Sequence, residues 1–238
     1  MQHPISRRLP HPILALVLLA APTSLDAQTT TLDEGAFRLI LAGREVGTES
    51  FTIRQSGTGD DAVIIAQGTV VLDTADAPEE LRAVLRVEGA SFRPSAYEVT
   101  VRGPDPQVIA ARVVGGRFSA RIVSDAGEQM REYLASEGAI VVDAGVMHHH
   151  YFLARRVASG AARIPIIIPR RNRQVSGLVE DHGAESVRIG GRNVSARRLS
   201  VALAGAPERQ VWVDERGRVL RIEIPANRFE AVRSSAPR

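Results

Sequence analysis

Three consecutive histidines, His148-His149-His150, and the arginines that follow them are the residues of this 238-residue chain best suited to chemistry. Neutral imidazoles are common ligands for zinc, so the run invites a metal reading. Geometry restrains it. On a helix, successive side chains stand about 100° apart, so His148 and His150 point to nearly opposite sides. On a strand, His148 and His150 share a face that His149 does not. A metal-assisted hydrolase would need further ligands such as Asp143, Asp181 or His182, and no His-Glu-x-x-His spacing joins them. The competing expectation packs one histidine under a sheet and leaves two at a wet boundary.

Arg155, Arg156, Arg163, Arg170, Arg171 and Arg173 form the second candidate. The guanidinium fork binds carboxylate or phosphate in a bidentate manner. With His148, His149 and Tyr151, the pair Arg170 and Arg171 would then lie near the opening of a ligand pocket. The alternative is a solvated rim in which these arginines pair with Glu128, Glu132 or Glu137 on neighbouring strands. Nucleophile elbows, Walker loops and dinucleotide fingerprints are absent from the sequence, and without cysteine there is no thiol chemistry. No catalytic residue, metal or cofactor is assigned from sequence. Asn193-Val194-Ser195 fits a glycosylation sequon, a pattern short enough to arise by chance.

The elements that must position these residues read mainly as β-strands. Apolar residues recur at every second position, as in Leu81, Ala83, Leu85 and Val87 against Arg82, Arg86 and Glu88, the pattern of a sheet with one wet face. Gly115-Gly116 is a pair favoured in tight hairpins, and residues 129–135 read equally well as strand or helix. Val211 and Val213 lead into a turn from which Leu220, Ile222 and Ile224 return, with Trp212 on the opposite face. One interruption breaks this pattern. Residues 145–158 place Val146, His150, Leu153 and Val157 on one helical stripe, with Asp143 as N-cap. Pro165 and Pro169 bracket Ile166-Ile167-Ile168 as an edge strand. The fold expected is one large curved antiparallel sheet or open half-barrel with one helix packed against its concave side.

Residues 1–27 carry Arg7 and Arg8, an apolar core from Ile13 to Ala21, and Leu25-Asp26-Ala27 before Gln28, the order of a cleaved signal peptide. That core is too short to cross a bilayer, which needs about 20 residues. Residues 28–238 then form a single exported domain, periplasmic or secreted, with no cysteine for a lipid anchor or a disulfide. All 30 basic residues are arginine, and the formal net charge is only +3. Positives are interleaved with Asp and Glu, and aromatics are 4% of the chain, so nucleic acid is not an expected partner.

Several segments together resemble exported bacterial proteins of unknown function of the DUF6134 and DUF3108 kind. These are Asp143 with the histidine run, Ile164-Pro165-Ile166-Ile167-Ile168-Pro169-Arg170, and the hairpin from Val211 to Pro225. Gly43-x-x-x-Gly47-x-Glu49-x-Phe51 and Phe92-Arg93-Pro94-x-x-Tyr97 belong to the same likeness. The resemblance implies a cell-envelope protein similar in architecture to open half-barrels that carry lipids. The expected function is non-catalytic binding of a hydrophobic or amphipathic ligand. A metal-assisted hydrolase or a structural partner of another envelope protein are the alternatives.

Overall fold

The computed structural model describes residues 29–73, 77–135, 138–157 and 160–238, so the signal-peptide segment lies outside the described residues. The first half is a run of hairpins: β1 (Thr30–Leu41), β2 (Arg44–Ser56), β3 (Val63–Asp73), β4 (Pro78–Glu88), β5 (Arg93–Arg102), β6 (Gln107–Val114), β7 (Arg117–Ser124) and β8 (Gly127–Leu134). Then come the two-residue β9 (Ile140–Val141) and the helix α1 (His150–Arg155). The second half holds β10 (Ala161–Ile168), β11 (Arg173–Ile189), β12 (Arg192–Leu203), β13 (Arg209–Val213), β14 (Val219–Ile224) and β15 (Phe229–Arg233).

All fifteen strands belong to one sheet, in the order β8 through β1, then β15 back to β9. It is thus two meanders joined where β1 pairs with β15, Phe37 opposite Arg233. Every pairing is antiparallel except β9 with β10. The Gly115-Gly116 turn has φ of 56° and 76°, the left-handed pair that a two-residue hairpin requires. Residues 129–135 resolve largely into the edge strand β8, because Tyr133 packs inward opposite Phe118.

Alternation sets the curvature and the core. Leu81, Ala83, Leu85 and Val87 of β4 are buried while Arg82, Val84 and Arg86 are exposed, and each neighbouring strand repeats the pattern. The sheet curls far enough that β8, at one edge, meets the start of β11 near the other edge. The Gln174 side chain of β11 donates to the Leu134 carbonyl of β8 (2.8 Å) and accepts from the Leu134 N–H (2.9 Å). This side-chain amide takes the place of a missing rung in the ladder.

One register shift changes which face is apolar. Between Asp181 and Ala184, β11 gains a residue against β12, and a bulge of that kind reverses the facing of everything beyond it. Val187 and Ile189 therefore lie on the outer face with Ala196, where Trp212, Leu220 and Val232 complete a second, smaller core. Trp212 donates Nε1–H to Glu185 (3.0 Å).

The interior is not hollow. Residues 139–157 run through the curl as a plug, in which Ile140, Val142, Val146, Phe152 and Leu153 pack against side chains from both meanders. Burial of each such side chain contributes about 1.5–3 kcal/mol. The helix is shorter than the expected 145–158, reduced to His150–Arg155. Residues before it are held by tertiary partners instead of helical hydrogen bonds. Gly68 of β3 admits the plug: a Cβ there would stand 2.7 Å from His148 Cε1 and 3.1 Å from the Ser50 carbonyl oxygen. Gly68→Ala is expected to lower the urea midpoint by an amount equivalent to about 1–3 kcal/mol, as overpacking does. An unchanged midpoint would mean that the plug does not press on β3.

Candidate functional site

Most of the buried polar residues gather along the plug. Glu49, on the inner face of β2 and 0% exposed, accepts the backbone N–H groups of Met147 (2.7 Å) and His148 (3.0 Å). His148 Nδ1 donates to the same carboxyl at 2.5 Å. This is the arrangement of an N-terminal helix cap, supplied by a distant strand. The expected cap, Asp143, serves elsewhere. Its Oδ2 accepts the Tyr97 hydroxyl (2.6 Å), and its Oδ1 accepts the backbone N–H groups of Ala144 and Arg170, each at 2.9 Å.

His149 lies beside both anchors without bonding either carboxyl. The Asp143 N–H donates to His149 Nδ1 (3.2 Å), which fixes the ring hydrogen on Nε2. The ring lies edge-on to His148 at 4.7 Å and to Tyr97 at 5.6 Å. His148 stacks on Phe51 at 5.6 Å, and Phe51 on Phe37 at 5.3 Å. Arg233 lies over both phenylalanine rings and pairs with the buried Asp33 at 2.6 Å.

All three histidines are buried, at 1%, 0% and 2% exposure, and Tyr151 is at 2%. The expectation that two of the histidines meet water at a boundary is therefore corrected: the turn that carries them is the interior of the barrel. Their Nε2 atoms have no hydrogen-bond partner. They do not assemble a metal site. No group of three or more His, Asp or Glu among the described residues is placed to hold an ion, since His150 turns away to donate Nδ1–H to the Met147 carbonyl (3.0 Å).

The arginines separate. Arg170 and Arg171, in the 3-10 turn Pro169–Arg171, line an open cavity of about 650 Å³ at one mouth of the barrel. Leu72, Glu79, Asp105, Asp125, Ala144 and Gly145 share that lining. Arg170 donates to the Ala144 carbonyl (2.9 Å) and lies 3.6 Å from Glu79. Asp143 ties the Arg170 side of this mouth to the plug. Arg155 instead packs over Phe92 and Tyr151, Arg156 donates to the Ser91 carbonyl, and Arg173 to those of Ala204 and Gly205. The expected pairing with Glu128 and Glu132 is not made. Arg121 and Arg117 hold those two, and Glu137 lies outside the described residues. Glu49 and Tyr97 stood in the sequence only as parts of short motifs, and what marks them is a polar group on an otherwise apolar inward stripe.

No known family profile matches the chain, and no curated protein does. Among solved structures, it is similar to a β-barrel-like protein of the DUF1849 domain of unknown function from Brucella abortus. That match has 8% identity and a TM-score of 0.53, covering 85% of this chain and 94% of the other. A DUF1089 family protein from Pseudomonas aeruginosa matches at 17% identity with a TM-score of 0.44, over 75% of this chain and 90% of the other. The chain therefore has a β-barrel-like fold similar to that of the DUF1849 protein, and a likeness at 8% identity extends to the fold alone.

Burial dictates the protonation of the plug. It holds His149 well below the usual imidazole range, with His148 and His150 adding to the effect, and pushes His150 down to about 3. Burial raises Asp143 despite its hydrogen bonds from Tyr97, Arg170 and Ala144. The signs differ. Histidines kept neutral in the fold stabilise it above their unfolded value near 6.5, and this is lost as pH falls because the unfolded chain takes up protons. Asp143 acts oppositely: its raised value favours the fold as pH falls through that value. Stability should fall by up to about 1.4 kcal/mol per pH unit for each neutral histidine from about pH 6.5 downward. Urea midpoints measured at successive pH values check this, and His150→Gln should flatten the slope. A midpoint independent of pH below 6.5 would contradict the buried neutral imidazoles.

Proposed function

We infer that this is a non-catalytic binding protein of the cell envelope, whose ligand is amphipathic and docks at the mouth formed by Arg170 and Arg171. The observation that carries this reading is the contrast between a filled interior and an open 650 Å³ cavity at one end of the barrel. A wholly apolar ligand has to compete with the plug for the core. A ligand with a polar head can place that head at the mouth and lay its apolar part along Leu72 and Pro106.

The location in the envelope rests on the signal-peptide pattern of residues 1–27 and on the likeness of the Gly43-to-Phe51 and Phe92-to-Tyr97 segments to exported families. His148 and His149 lie in the plug beneath Asp143, Tyr151 packs with Arg155 and Phe152 away from the mouth, and none of the three lines the cavity. A hydrolase built on the histidine run finds no support in the way the imidazoles point.

Native mass spectrometry of the untagged protein from its envelope fraction tests the reading, before and after mild organic extraction. A removable mass of lipid size is expected, together with its reduction in Arg171→Ala, a substitution at an exposed side chain that leaves the core untouched. A bare chain before extraction, or a bound mass that Arg171→Ala leaves unchanged, would overturn it.

A further inference from the structure

The mouth carries charges of both signs, not all of which neutralise one another. On one side, Arg170 and Arg171 project from the turn between β10 and β11. On the other, Asp105 lies in the β5–β6 connection and Asp125 in the β7–β8 turn. Arg170 is already engaged by Glu79 and the Ala144 carbonyl. Arg171, Asp105 and Asp125 are exposed and take part in no ion pair within 4.0 Å among the described residues. Opposite charges that share a cavity yet stand too far apart to bond leave a gap that a ligand of the complementary polarity spans.

Resting on the mouth as the binding site, we propose that it selects a zwitterionic head group, with an anionic group on Arg171 and an ammonium on Asp105 and Asp125. A simple anion would meet two guanidinium groups, one of them engaged, and three carboxyls, counting Glu79. Its attraction to Arg171 is offset by repulsion from the opposite rim. A simple cation meets the converse. A head group with both charges satisfies both rims, and the fork of Arg171 suits phosphate or carboxylate oxygens. The same chemistry belongs to a soluble amino-phosphate and to the head of an ethanolamine phospholipid.

The test uses the full chain and titrates O-phosphoethanolamine, inorganic phosphate and ethanolamine separately, following the backbone resonances of Ala144, Gly145 and Arg171. In parallel, flotation compares vesicles of phosphatidylglycerol alone with vesicles of equal parts phosphatidylethanolamine and phosphatidylglycerol. Phosphoethanolamine should bind at least about tenfold more tightly than either fragment. The double variant Asp105→Asn, Asp125→Asn should lose that preference and bind inorganic phosphate more tightly than the native protein does. Such an inversion cannot come from a misfolded mouth. Binding of soluble phosphoethanolamine without vesicle preference assigns a soluble ligand, and preference for the mixed vesicles assigns the lipid. Phosphate binding as tightly as phosphoethanolamine, lost in Arg171→Gln, would overturn zwitterion selection while leaving the mouth as the binding site. Resonances that no probe moves, with no vesicle binding, would overturn both.

Discussion

The carboxyl of Glu49 is the constraint on which the interior depends. A curled sheet of fifteen strands leaves a central space that must be filled, and the filling here is a stretch of chain with its own backbone N–H groups to satisfy. Two of those groups and one imidazole converge on Glu49. A side chain at 0% exposure left without such partners would be costly, and removing one member of a buried polar pair typically costs about 3–5 kcal/mol. The plug is therefore locked to β2 at one point and to β5 at another, through Tyr97 and Asp143. Between these two carboxyls lies His149, kept neutral by its surroundings.

The same arrangement underlies the proposed position of the ligand. Because residues 139–157 occupy the curl, the accessible chemistry is displaced to the rim. There Asp143 connects the buried chain to the residues that line the mouth. Its Oδ1 holds the backbone at Ala144 and at Arg170, next to Arg171. Plug and mouth are thus a single unit.

Much of the fold was legible because a two-residue period is a local property. The alternation of Leu81, Ala83, Leu85 and Val87, or the glycine pair at 115 and 116, states its structure within a few residues. The edge strand β8 was ambiguous because only Tyr133 along it is buried. The helix is shorter than its spacing implies for a different reason. Residues 145–149 have helical spacing, but their hydrogen-bond acceptor lies about a hundred positions away in β2, and no local pattern announces it. The histidine run shows the same limit. Its residue types suggested a site, while its burial is a consequence of the sheet closing around it. Arg170 and Arg171 could be named as candidates from charge alone, but Asp105 and Asp125, which face them, belong to connections remote in sequence. Their meeting follows from the curl.

Amide hydrogen exchange on the Glu49→Gln variant tests this account most directly. Glutamine keeps the size of the side chain but cannot accept all three N–H donors through its oxygen. The amides of Met147 and His148, and those of Tyr151 and Phe152 that follow, should lose protection together, while the ladder between β3 and β4 keeps its own. If those plug amides exchange as slowly as in the native protein, Glu49 does not hold the interior in place and the account fails.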